Sequence, residues 1–139
     1  MNRFQSLVAI FFAVGIAGGE DKKPTYTPVD LQPYANQKRD ESLGSGVEGN
    51  NLVTLPGGEQ SFEGVEFTIG EGILHLGSNI LDRHPDKIEG IKVDAKCAKI
   101  HILHATCFGG GPNVAGSPLH VPDGTPIGQY MVKLSLIHI

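Results

Sequence analysis

Apolar and polar side chains alternate along most of this chain in short runs, and Gly, Pro and Asn punctuate the gaps between them. Val65, Phe67 and Ile69 fall on one side of an extended backbone, with Glu66 and Thr68 on the other, which is the period of a half-buried strand. In GILHLGS, Ile73, His75 and Gly77 share one side, and Leu74 and Leu76 the other. IEGIKVDAK alternates through Ile91 and Val93, and IGQYMVK sets Ile127, Gln129 and Met131 against Gly128, Tyr130 and Val132. AKIHILHAT departs from strict alternation, with Ile100 and Ile102 on one side and Leu103 and Ala105 on the other, so it predicts a central strand covered on both faces.

The gaps carry their own signals. Val29 and Leu31 predict a short edge strand whose pairing Pro33 limits. Residues 38–43 allow one helical turn, NLVTL predicts a strand closed by a reversal at Pro56-Gly57, and residues 70–72 are short enough only for a hairpin link. CFGGGPNVAGSPLHVPDGTP predicts a long loop of the kind that is functional or mobile. No segment sustains the 3.6-residue apolar period of a helix. Together these elements predict an all-β fold, an antiparallel β-sandwich of about six or seven strands.

Composition agrees with short elements joined by turns: of 139 residues 19 are Gly and 9 Pro, with no Trp, and the length suits one domain. The N-terminus changes the picture more. Arg3 precedes an apolar run from Leu7 to Ile16, then Ala17-Gly18-Gly19 and a charged stretch, which is the order of a secretory signal peptide. That run is shorter than the roughly 20 residues a membrane-spanning helix needs. Cleavage is expected before Glu20, giving a signal peptide at 1–19, a polar linker at 20–28 and a module at 29–133. Cleavage takes away Arg3 and no acid, moving the formal net charge from −4 by one positive charge to −5. Basic residues are interspersed with acids, as in DKIEGIKVDAKCAK, so no cationic surface for nucleic acid is expected.

Candidate chemistry is sparse. If AKIHILHAT is a strand, Cys97 and Cys107 sit roughly 30 Å apart, against the ~6 Å Cα separation of a disulfide, and are free thiols. GSGVEG at 44–49 has the spacing of a dinucleotide fingerprint without the flanking strand and helix, and GGGP at 109–112 lacks the Lys of a phosphate loop. His101 and His104 point to opposite faces of an extended strand and cannot ligate one metal together, although either could meet His75 across a sheet. His84 and His120 complete the module's histidines, which read as core or rim residues, and His138 lies in the C-terminal LSLIHI. Glu59, Glu63, Glu66 and Glu71 read as the solvent side of a hairpin surface, and there is no GxSxG elbow. No catalytic residue, metal ligand or cofactor is expected.

VDLQPYANQ, GNNLVTLPGGEQSFEGVEFTIGEGILHLGS, KIEGIKVDAKCAKIHILHAT and IGQYMVK together resemble the NPCBM-type, galactose-binding-like module of secreted bacterial proteins. The hairpin around Phe62 to Phe67 and the Leu103 to Ala105 stretch carry the likeness best. The resemblance implies a jelly-roll sandwich and a non-catalytic accessory role, with a glycan or another domain of the same secreted protein as partner. The alternative function is a structural or protein-interaction domain with no glycan ligand. No motif assigns the ligand-contacting residues; the available rings are Phe62, Phe67, Phe108, Tyr26, Tyr34 and Tyr130, with Phe67 expected in the core and Tyr130 at a rim. The family's chain continues past the IGQYMVK strand into a hairpin turn and a Trp-rich segment, whereas here LSLIHI follows. That peptide is what CTG-TCT-CTT-ATA-CAC-ATC, resembling a transposon library adapter, would encode. Residues 134–139 are therefore expected to be a non-native tail on a sandwich incomplete at its C-terminus.

Overall fold

A computed structural model describes residues 7–16, 25–44, 48–77, 83–106, 124 and 126–135. Among them the chain is all-β: seven strands, one 3-10 turn at Gln32–Tyr34, and no α-helix, so none long and apolar enough to cross a membrane. Three small antiparallel sheets form. The first has the order β2-β1-β7, from Thr25–Pro28, Leu7–Ile16 and Lys99–Thr106. The second pairs β3, Gln37–Lys38, with β6, Gly72–Ile73, and the third pairs β4, Gly58–Phe62, with β5, Val65–Ile69. The apolar core of the expected signal is thus β1, the middle strand of the first sheet, and four residues of the expected linker are β2.

Two small hydrophobic clusters make up the core among the described residues. Phe67 and Ile69 from the alternating β5, with Leu43 and Ile73, make the first, against which Leu103 and Phe62 pack. Leu31 and Leu74 make the second, joined by Ile88, Ile91 and Ile102. Successive residues therefore serve opposite clusters, Ile73 and Leu74 in one place and Ile102 and Leu103 in the other, as the two-residue period requires. Burying side chains of this size contributes about 1.5–3 kcal/mol each.

Several expectations are corrected. The reversal that pairs strands is Glu63-Gly64, not Pro56-Gly57: β4 and β5 join through two residues at φ +51° and +77°, the left-handed pair that a tight hairpin loop needs. Residues 70–72 do not link a hairpin, because β6 turns away from β5 to pair with β3. NLVTL is no strand. The Leu52 amide donates to the Arg39 carbonyl (2.9 Å) and the Arg39 guanidinium to the Leu55 carbonyl, stapling this loop to the end of β3. Val29 and Leu31 run without a ladder into the 3-10 turn, whose second residue, Pro33, suits its first turn with a fixed φ and no donor. Residues 38–43 form a turn at Arg39 and Asp40 rather than a helical one. Ile91 packs into the second cluster from irregular backbone, broken by left-handed residues at Gly90 and Asp94. Residues 127–132 carry no strand pairing, and β7, expected to be central and covered, has one neighbouring strand among the described residues and no buried residue, although Ile102 and Leu103 pack against opposite clusters. Residues 107–123 and 125 of the expected loop at 107–126, with Cys107, Phe108 and His120, and residues 136–139 of the expected tail lie outside the described residues.

Candidate functional site

The polar centre of the molecule is built on the short β3–β6 pair. Antiparallel pairing sets Gln37 opposite Ile73 and Lys38 opposite Gly72. Just beyond the ladder the Asn36 side chain takes over its work: its Oδ1 accepts from the His75 amide at 2.7 Å and its Nδ2 donates to the His75 carbonyl at 2.8 Å. A side-chain amide presents the same donor and acceptor as a peptide, so Asn36 holds residue 75 in extended form as a neighbouring strand would.

His75 is fully buried, at 0% exposure, and Gln37 is 7% exposed beside it. Gln37 Nε2 donates to the Ser42 carbonyl at 2.9 Å, so its Oε1 faces His75 Nδ1, 2.5 Å away. Only a protonated Nδ1 satisfies that acceptor, which sets the neutral tautomer with hydrogen on Nδ1. The His84 ring stacks on His75 with centroids 3.9 Å apart and planes 25° from parallel. Arg83 Nε donates to His84 Nε2 at 3.1 Å, and its Nη2 to the Ser42 carbonyl at 3.0 Å. His84 therefore accepts at Nε2, which only a neutral ring can do. Burial, followed by the repulsion that His84 would exert once protonated and by the Arg83 guanidinium, lowers the His75 pKa from 6.5 to about 4. The His84 pKa is also lowered, first by burial and then by Arg83, with Glu41 opposing. The pair is neutral at physiological pH.

An open groove of about 410 Å³ runs along β3 and β6, lined by neither histidine. Asn36 and Gln37 line it, but their amides are turned inward. Gln32, Lys38, Glu41 and Glu71, all exposed, supply the groups a ligand would meet. Glu41 also accepts from the Lys38 amide at 3.2 Å, which orients its carboxylate along the turn. The groove is narrow where Gly72 faces Ala35: a Cβ on Gly72 would stand 2.6 Å from the Ala35 Cβ. An amide, an ammonium and two carboxylates around open space make a hydrogen-bonding surface, and no aromatic ring is among the lining residues.

The other residues that the sequence singles out disperse. His75 meets His84, nine residues on, and not His101 or His104. His101 lies edge-on to Tyr26 at 5.7 Å, while the His104 Nδ1 and the Tyr130 hydroxyl share a hydrogen bond of 3.0 Å. Cys97 is a half-buried free thiol. Glu59, Glu63 and Glu66 are exposed on the β4–β5 hairpin, and Glu71 is not with them but in the groove. Phe67 is in the core, and Tyr130 is 40% exposed. Among the described residues no group of three or more His, Cys, Asp or Glu is placed to hold a metal. Asn36, Gln37 and Gln32 carried no signal in the sequence, because lone amides in a Pro-containing stretch look like any loop. Compared with protein-family models, curated proteins and solved structures, the chain matches none.

Proposed function

We propose that this chain is an exported, non-catalytic accessory module of the galactose-binding-like sandwich type, and that it binds a hydroxyl-rich ligand, a glycan, in the groove along β3 and β6. The observation that carries the reading is the set of exposed hydrogen-bonding groups, Gln32, Lys38, Glu41 and Glu71, around one open groove whose floor is fixed from behind by Asn36 and Gln37. Hydroxyls pair with carboxylates and amides as both donors and acceptors. With no ring to stack on a sugar face, affinity is weak and comes from hydrogen bonds alone. Two carboxylates in one groove also suit glycoside hydrolysis, but an acid catalyst needs a carboxyl shielded from water, and Glu41 and Glu71 are both exposed. Export follows from the N-terminal pattern, with 1–19 removed.

A glycan array probed with the exported protein tests the reading. Retention on a defined sugar, lost in Glu71→Gln and Gln32→Ala, supports it. Retention on no sugar together with co-purification of a protein replaces it with the alternative, a structural or protein-interaction domain.

A further inference from the structure

The place of β1 lies between two other strands. Its residues Ala13 to Ile16 pair with Thr25–Pro28, and on its other edge Leu7 to Gly15 pair with Lys99–Thr106. Cleavage before Glu20 removes this strand and leaves both ladders without a partner. A slot open on two sides offers an entering strand two rows of hydrogen bonds, where an outer sheet edge offers one. One segment of the chain already stands beside it. Residues 127–133 alternate like a strand but carry no ladder. Tyr130 reaches His104 of β7 through the 3.0 Å hydrogen bond, its ring 6.1 Å away and 20° from parallel. Met131 and Val132 stand 77% and 59% exposed, apolar surface with nothing over it among the described residues.

We propose that, once 1–19 are removed, residues 127–133 take the place of β1 between β2 and β7. The inference rests on the export reading above. The His104–Tyr130 hydrogen bond holds the segment next to its destination, so the exchange needs only a local rearrangement. Burial of Met131 or Val132 and the new ladder drive it, while the retained signal blocks it before export.

The test uses the full chain expressed in a bacterium with its own N-terminus and recovered after export, with intact mass and amide hydrogen exchange measured on the same sample. The expected result is a chain beginning at Glu20 in which amides of 127–133 and 99–106 exchange together, each slowed roughly a hundredfold or more against unstructured peptide. In Met131→Pro, which removes a donor and breaks a strand, protection of 99–106 is expected to fall with that of 127–133. A product beginning at Glu20 whose residues 127–133 exchange at free-peptide rates overturns the strand replacement alone, as does protection of 99–106 that survives Met131→Pro. A product that keeps residues 1–19 overturns the export reading and the replacement with it.

Discussion

Acid should destabilise this fold through one residue. His75 is fully buried and neutral, donating from Nδ1 to Gln37, with its pKa lowered from 6.5 to about 4. In the unfolded chain the same imidazole takes a proton once the pH drops below its ordinary value. Above pH 6.5 both states are neutral, and His75 contributes no pH dependence. Between pH 6.5 and about 4 the unfolded state binds the proton and the folded state does not, so stability falls as the pH falls, by about 1.4 kcal/mol per unit. From pH 6.5 to 5, above most carboxylate titration, the loss amounts to about 2 kcal/mol, a large part of the ~5–15 kcal/mol a domain has. Urea unfolding followed by circular dichroism at pH 7.5, 6.5, 5.5 and 5 measures it. His75→Gln keeps an amide donor for Gln37 and cannot titrate. It is expected to cost about 1–3 kcal/mol at pH 7.5 through imperfect hydrogen bonding, and to flatten most of the slope, leaving the smaller share of His84. Equal acid slopes in wild type and His75→Gln would refute the reasoning.

Three further outcomes follow from the packing. Gly64→Ala places a side chain at φ +77° with open space around the new Cβ, so backbone strain alone should lower stability by about 1–2 kcal/mol, read as a lower urea midpoint with an unchanged slope. Gly72→Ala drives a methyl against the Ala35 Cβ and should cost about 1–3 kcal/mol while shifting the NMR signals of Gln32 and Lys38 across the groove. Phe67→Ala empties the first cluster beneath Phe62, whose ring centroid lies 6.0 Å away, and should cost about 3–5 kcal/mol; a loss below 1 kcal/mol by thermal unfolding would place the core elsewhere.

Much of the strand pattern was legible where alternation and β-branched residues coincide. Phe67 and Ile69 are buried on one face with Val65 beside them, and Ile102 and Leu103 of β7 pack against opposite clusters, although β7 is neither central nor buried. The partner of β5 was not legible from alternation, since Gly58–Phe62 is polar and largely exposed. The signal was in the two-residue turn, Glu63-Gly64. Leu52, Leu55 and Ile91 mark the converse failure: an apolar residue can reach a cluster from a loop, and there Arg39 and the left-handed Gly90 and Asp94 set the backbone. The run Leu7–Ile16 satisfies two descriptions at once, because the Val, Ile and Phe of an apolar signal core are also strong strand formers. For the site, His75 was visible and its surroundings were not. Gln37 reaches it across 38 residues of sequence and His84 from a Pro-marked loop, and no spacing rule encodes tertiary contacts between short irregular elements.

The most direct test of the account is affinity electrophoresis of the exported protein through gels containing soluble polysaccharides. Slowed migration in at least one polysaccharide, restored to normal speed by added free sugar and absent in a Gln32→Ala, Glu71→Gln double variant that unfolds at the same urea concentration, is the predicted result. Unchanged migration in every polysaccharide, or slowing that the double variant retains in full, would contradict the proposal that the groove along β3 and β6 binds a glycan.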